Sequence, residues 1–237
     1  MQINEIFLSV QAESINTLGV PQMFGVGVPT VFVRTNKCRL CCIYCDTSYT
    51  WKDEETIMTP DEVITKVQEA SGPYRAVCIT GGEPELSDRG EMHQLIRGLR
   101  EKNYVISIEA SGTADRDFFF GADSIVMDIK GPSAGKKAME VSKDNVKHVK
   151  TLNRYDQLKF LVADKNDFNW MVEWLEKTGT INLDPSIRPV ILVSPVFDKK
   201  GQNNAAQVVA WMLEKKLPAV LNFQIHKVIW PIEQRGV

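Results

Sequence analysis

Cysteines at positions 38, 42 and 45 stand in the run Cys38-Arg39-Leu40-Cys41-Cys42-Ile43-Tyr44-Cys45-Asp46. A C-x3-C-x2-C spacing puts three thiolates on one short loop, the way iron-sulfur clusters are often held. Three thiolates leave one iron of a four-iron cluster without a cysteine from the motif, and an open iron can bind and activate a second molecule. Cys41 sets up a competing pattern, two abutting C-x2-C pairs of Cys38 with Cys41 and Cys42 with Cys45. Structural zinc sites usually separate such pairs by about 12 to 20 residues, so that each pair approaches the ion from its own turn. No residue separates them here. The 4Fe-4S cluster is therefore the preferred reading and Cys41 a bystander; a zinc-stabilised, non-catalytic binding module is the alternative outside the enzymes.

A second candidate is Thr80-Gly81-Gly82-Glu83-Pro84. Paired glycines let backbone approach a ligand closely and expose peptide N-H and C=O groups. Glu83 adds an acceptor for an amine, so a bound amino acid beside the open iron suits both motifs.

These groups need elements to hold them. Short apolar runs rich in branched residues predict strands at 4-10, 29-35, 75-80, 104-109, 124-129, 157-163, 189-194 and 222-228. Amphipathic stretches predict helices at 60-71, 87-101, 143-153, 166-178 and 204-216, with capping chemistry at Thr59-Pro60-Asp61-Glu62 and Ser87-Asp88. Such alternation makes an α/β fold with a parallel sheet. The strands are too few and irregular for a full eightfold repeat, so a partial, open β/α barrel fits best, with about six core parallel strands and trimmed helices. Chemistry in such sheets sits at the carboxyl ends of strands. The cysteines, the Gly81-Gly82 turn, Glu109-Ala110-Ser111-Gly112-Thr113, Asp128-Ile129-Lys130 and Ser194-Pro195 all fall there. Cys78 lies in an apolar strand and reads as core.

The 237 residues show no repeat, low-complexity tract or linker and are read as a single domain, 1-237. A formal charge of -2 gives no electrostatic case for a nucleic-acid or membrane partner. No segment approaches the ~18 apolar residues of a membrane span, and the N-terminus has no leader pattern. Together with clustered reduced thiols this suggests a cytoplasmic protein.

The two motifs, in this order, resemble the radical S-adenosylmethionine superfamily. Glu5-Ile6-Phe7 with Gln11, Phe32-Val33-Arg34, Cys45-Asp46-Thr47, Gln224-Ile225-His226-Lys227 and Arg235-Gly236-Val237 further resemble the 7-carboxy-7-deazaguanine synthases. The resemblance implies a lyase that rearranges 6-carboxy-5,6,7,8-tetrahydropterin to 7-carboxy-7-deazaguanine and ammonia, on the route to queuosine. It implies a 4Fe-4S cluster on Cys38, Cys42 and Cys45, S-adenosylmethionine on the open iron, and magnesium at Thr47. A homodimer and an electron donor such as flavodoxin or ferredoxin are implied too. The cofactor would meet Tyr44, Cys45, Asp46, Gly82, Glu83 and Ser111, with Asp128, Ile129, Lys130, Ser194, Pro195, Val196 and Phe197 on its other side. The pterin would meet Val10, Gln11, Ala12, Glu13, Arg34, Thr80, His226 on the last strand, and the Val237 carboxylate. Arg34 could clamp the substrate's carboxylate with a paired fork, while Gln11 and Thr80 read ring edges.

The cofactors carry the hard chemistry, and no catalytic side chain beyond them is assigned. Gln11-Ala12-Glu13-Ser14 departs from the family's Gln-Gly-Glu-Gly. If that turn needed positive φ, alanine and serine would be strained or the loop would take another path. Glu85 likewise stands where an apolar residue is common. The runner-up is a radical S-adenosylmethionine enzyme with another substrate, such as a glycyl-radical activase.

Overall fold

Eight runs of mainly branched apolar residues lie side by side in chain order in one sheet of the computed structural model, which describes every residue except 21, 52-55, 199, 232-233 and 237. They are β1 (Ile3–Val10), β2 (Pro29–Thr35), β3 (Ala76–Gly81), β4 (Val105–Ala110), β5 (Ser124–Ile129), β6 (Gln157–Val162), β7 (Val190–Pro195) and β8 (Val220–Leu221). β1 runs antiparallel to β2, and every later pairing is parallel. No pairing joins β8 back to β1 among the described residues, so the sheet is open. Six parallel strands, β2 to β7, have full length, and β8 adds two residues.

The helices are α1 (Pro60–Ser71), α2 (Arg89–Glu101), α3 (Lys136–Val141), α4 (Asn145–His148), α5 (Lys165–Thr178), α6 (Ala205–Lys215) and α7 (His226–Ile229). Thr59 and Glu62 close a reciprocal capping box on α1, and Asp88 caps α2 by accepting from the Glu91 N-H. α1 and α2 bury Val63, Ile64, Val67, Met92, Leu95, Ile96 and Leu99 against Val31, Val33, Val77, Ile79, Ile106 and Ile108. α5 and α6 bury Phe168, Met171, Leu175 and Val208 against Leu158, Phe160, Ile191 and Val193. Between β4 and β5 the connection shrinks to a 3-10 turn, Arg116–Phe119.

Two predicted elements differ. The expected helix 143-153 is reduced to α4 and a 3-10 turn, Val149–Thr151; α3 lies before that span and ends at Ser142, whose hydroxyl turns back on the Ala138 carbonyl. The expected strand 222-228 is absent: pairing stops after Leu221, and His226, placed on a last strand by its sequence, opens the short helix α7. The alternation of this segment is real but inverted. Its buried members are polar, Asn222 and Gln224, and they carry the chain across the strand ends to Glu13.

Candidate active site

The carboxyl ends of β2 to β6, with the segment after β1 and the C-terminal segment, enclose one cavity. At its centre is the loop that leaves β2. The Gly82 N-H donates to the Thr35 carbonyl at 2.8 Å, fixing the end of β3 to the end of β2. A Cβ on Gly82 would lie 2.2 Å from the Lys37 carbonyl oxygen, and Gly81 sits at φ +115°. Only glycine lets the two strand ends approach this closely. The Cys45 N-H then donates to the Cys42 carbonyl, and the Ile43 N-H to the Ala134 carbonyl ahead of α3.

Cys38, Cys42 and Cys45 line the cavity; Cys41 does not. Cys41 adopts φ +52°, and its Sγ lies 3.2 Å from Lys137 Nζ. Burial pushes the Cys38 thiol up to about 11 and Cys42 to about 12. The buried thiols thus favour the protonated form until a metal displaces the protons, which suits a ligand set. Three cavity-lining sulfurs fit a cluster with an open iron and fall one short of a closed structural zinc site.

Glu83 is buried beside them and accepts from both the hydroxyl and the N-H of Ser111. Burial, then the neighbouring Glu85, raise its pKa to about 8. Glu85 in turn accepts from the hydroxyl and N-H of Thr113, so the two carboxylates tie the β3 turn to the loop after β4. On the floor, Asp128 pairs with Lys130 at 3.0 Å and Lys159 at 2.8 Å. Burial would lower both lysines, but Asp128 reverses this and raises them.

The segment after β1 crosses above this floor. Gln11 Oε1 accepts from the N-H groups of Ala12 and Glu13 at 2.7 and 2.9 Å. Neither Ala12 nor Ser14 has a positive φ, so replacing both family glycines strains nothing. Asn222 Nδ2 donates to the Glu13 carbonyl, and Gln224 Nε2 to the Glu13 carboxylate at 2.7 Å. Glu13 also pairs with Lys159; burial opposes its ionisation, yet Lys159 and His226 hold its pKa down at about 2. Glu13, Asp46 and His226 bring ligand atoms within 4.8 Å of one another. Lys159 on Glu13 and Lys227 on Asp46, the latter at 2.7 Å, already supply the positive charge that an ion would bring there.

Arg34 Nε donates to Glu5 Oε1 at 2.7 Å, and Tyr49 Oη donates to the same oxygen at 2.8 Å. This leaves the terminal nitrogens of Arg34 without a hydrogen bond among the described residues, on the cavity wall. The Arg235 guanidinium stacks on the Tyr49 ring at 3.9 Å. Thr47 also lines the cavity, its Oγ1 meeting only a weak partner among the described residues, Cys45 Sγ at 3.6 Å. Five buried polar atoms of cavity-lining residues lack a partner among the described residues: Gln11 Nε2, Tyr44 Oη, Trp51 Nε1, Glu109 Oε1 and Asp128 Oδ1. Unsatisfied buried groups are rare, and a bound ligand is the simplest way to satisfy these.

Of the expected cofactor contacts, Tyr44, Cys45, Asp46, Gly82, Glu83, Ser111, Asp128 and Lys130 line this cavity. Ile129 instead packs in the core with Val149 and Phe160, and Ser194, Pro195, Val196 and Phe197 are not among the lining residues. Of the expected substrate contacts, Val10, Gln11, Ala12, Glu13, Arg34, Thr80 and His226 line it. Val237 lies outside the described residues. Tyr49, Glu109, Lys159, Gln224, Lys227 and Arg235 also line it, though sequence reasoning assigns them no role. Lys159 had a readable sign: it is the one charge in the apolar strand Gln157-Leu158-Lys159-Phe160-Leu161-Val162, where every residue is buried.

Residues 32-164 match the model of the radical SAM superfamily. The chain is 33% identical to a 7-carboxy-7-deazaguanine synthase of Koribacter versatilis, covering 100% of both chains. It is 31% identical to one from Methanospirillum hungatei, covering 97% of this chain and 85% of that one. Its fold is similar to a crystal structure of QueE from Escherichia coli, with a TM-score of 0.64 at 20% identity, over 93% of this chain and 92% of that one. It is also similar to Streptococcus suis SuiB bound to S-adenosylmethionine, with a TM-score of 0.54 at 13% identity, over 78% of this chain and 47% of that one.

Proposed function

The chain belongs to the radical SAM superfamily and, within it, to the 7-carboxy-7-deazaguanine synthases, and from that premise we propose how its pocket serves the reaction. It is a lyase that converts 6-carboxy-5,6,7,8-tetrahydropterin to 7-carboxy-7-deazaguanine and ammonia. The observation that carries the reading is the convergence of Cys38, Cys42 and Cys45, the Gly82-Glu83 turn, Arg34 and the Gln11 to Glu13 segment on one cavity.

When bound, the 4Fe-4S cluster and S-adenosylmethionine supply the one-electron reduction and the hydrogen abstraction that start the ring contraction. Cys38, Cys42 and Cys45 hold the cluster. Glu83, oriented by Ser111, accepts from the cofactor's ammonium, and the unpartnered Tyr44 Oη and Asp128 Oδ1 offer it polar contacts. Arg34, braced by Glu5 through Nε, turns its terminal nitrogens to the substrate carboxylate. Gln11 Nε2 donates to the heterocycle, and Thr80 and Glu109 read its edges. Glu109 carries a raised pKa, from burial and then the charge of Glu13, so its carboxyl can hold or give up a proton beside the ring. Lys159 and Lys227 keep Glu13 and Asp46 ionised and fixed while the pocket excludes water. Thr47 offers its hydroxyl to a magnesium ion, which takes few protein ligands and keeps several waters.

The 237 residues act as one domain, in a homodimer, and receive electrons from a flavodoxin or ferredoxin. No helix is long and apolar enough to cross a membrane among the described residues, and the reaction belongs in the cytoplasm.

Substrates with and without the 6-carboxylate test this reading. Only the carboxylated tetrahydropterin should turn over, and Arg34→Ala should raise its KM about 10²-fold, as expected for losing a charge-assisted pair of about 2-3 kcal/mol. Equal kcat/KM for both pterins would overturn the assignment.

A further inference from the structure

Glu85 stands two residues beyond Glu83 and is not among the residues lining the cavity, yet its carboxylate is engaged as firmly as that of Glu83. Pro84–Leu86 forms a 3-10 turn, closed by the Leu86 N-H on the Glu83 carbonyl at 3.0 Å and the Ser87 N-H on the Pro84 carbonyl at 3.1 Å. Glu83 and Glu85 therefore project from one rigid turn, and both reach the loop after β4 in the same register. Glu83 accepts from the N-H and hydroxyl of Ser111, and Glu85 Oε2 accepts from the Thr113 N-H at 2.6 Å and from the Thr113 hydroxyl. Burial raises the Glu85 pKa to about 7, against the hydroxyl of Thr113 and the N-H groups of Ala114, Thr113 and Gly112, which favour its charged form. The far side of the loop is held as well. His148 Nδ1 donates to the Gly112 carbonyl at 2.8 Å, and a Cβ on Gly112, which sits at φ +76°, would stand 2.8 Å from Met127 Sδ.

Of these groups Glu83 and Ser111 line the cavity, and Glu85, Thr113 and His148 do not. A carboxylate oriented by Ser111 is only as well placed as the loop that carries Ser111, because a binding group holds its geometry through the residues that support it. We propose that Glu85 is a positioning residue for the amino-acid end of S-adenosylmethionine: by holding Thr113 it fixes the register of Ser111 and, through Ser111, aims Glu83 at the cofactor's ammonium. Glu85 itself touches neither cofactor nor pterin. This role rests on the assignment of Glu83 to that ammonium, and part of its test needs no cofactor.

The variants Glu85→Leu, Glu85→Gln and Thr113→Val are compared with the wild type, first metal-free by amide hydrogen exchange and then reconstituted, with S-adenosylmethionine binding measured by calorimetry in the absence of pterin. Glu85→Leu should lose exchange protection at residues 112-114 and bind S-adenosylmethionine about tenfold more weakly, as for the loss of one charge-assisted hydrogen bond, while the KM for the pterin changes less than about twofold. Glu85→Gln, whose side-chain carbonyl can still accept from Thr113, should recover most of that affinity. Thr113→Val should weaken binding about threefold, and E85L/T113V should be no worse than Glu85→Leu alone, because the two residues act through one contact. Unchanged protection at 112-114, or unchanged S-adenosylmethionine affinity, in Glu85→Leu would overturn the proposal. Equal losses for S-adenosylmethionine and the pterin would overturn it too, since Glu85 would then be a general brace of the pocket. Where Glu85→Leu does not fold, Thr113→Val decides, and wild-type affinity in that variant overturns the proposal. Glu83→Gln separates the two readings. If it binds S-adenosylmethionine as the wild type does, the assignment of Glu83 to the ammonium fails; if it binds weakly while Glu85→Leu binds normally, the role of Glu85 alone fails.

Discussion

Replacing Lys159 by methionine should destabilise the cofactor-free protein by about 3 kcal/mol, because breaking a buried pair by removing one partner costs about 3-5 kcal/mol. The Lys159 side chain is 5% exposed and sits between two carboxylates, Glu13 and, at 2.8 Å, Asp128. The lower end of that range applies because neither carboxylate is abandoned. Asp128 keeps Lys130 at 3.0 Å, and Glu13 keeps Gln224 Nε2 at 2.7 Å and His226 at 3.9 Å. For a chain of this size the loss corresponds to roughly 6-12 °C in Tm. Anaerobic urea unfolding of metal-free protein, followed by tryptophan fluorescence, measures it directly. The pH dependence adds a signed check. In the wild type, Glu13 is held down at about 2 against an ordinary 4.5, so it contributes stability above 4.5 that fades as pH falls toward 2. Without Lys159 most of that contribution is gone, so the gap between wild type and variant should narrow on acidification. The double variant E13Q/K159M should recover about half of the loss. A deficit under about 1 kcal/mol that does not change with pH would refute the reasoning, since it would mean that Lys159 is not what keeps Glu13 charged.

Gly82→Ala should lower the melting temperature of metal-free protein and the iron bound after reconstitution, since its Cβ would stand 2.2 Å from a backbone oxygen and overpacking costs about 1-3 kcal/mol; wild-type melting and iron content would contradict the close approach. Cys42→Ala should abolish the cluster's visible absorption, whereas Cys41→Ala should retain it, and equal losses would show that the ligand triplet is wrong. Glu83→Gln tests the raised carboxyl: the folded wild type keeps a proton at Glu83 between pH 4.5 and about 8 that the unfolded chain releases, so stability falls as pH rises through that window. The variant should match the wild type near pH 4, exceed it above about pH 8, and bind S-adenosylmethionine more weakly; stability curves that stay parallel across that range would refute the shift.

Most of the sheet was legible because branched apolar runs and turn chemistry agree locally with the fold, and capping at Thr59 and Asp88 marked two helix starts to within two residues. The segment 222-228 was not, because its period of two is carried by buried polar residues that serve Glu13 rather than a strand ladder. The metal loop declared itself by spacing, but only folding shows Cys41 turned away toward Lys137. The charges that organise the pocket are different in kind. Lys159, Glu109 and Lys227 come from separate elements, and no local pattern links them; a lone charge inside an apolar strand is the only trace they leave. The exchange of two glycines near Gln11 looked like a threat to the turn, whereas Gln11 itself holds the turn through its side chain without positive φ.

The central claim is that this cavity contracts a carboxylated pterin. Anaerobically reconstituted protein, incubated with 6-carboxy-5,6,7,8-tetrahydropterin, S-adenosylmethionine, magnesium and a reductant, should yield 7-carboxy-7-deazaguanine, identified by mass and ultraviolet spectrum, with one ammonia per product. Sustained cleavage of S-adenosylmethionine with no deazapurine formed would contradict it.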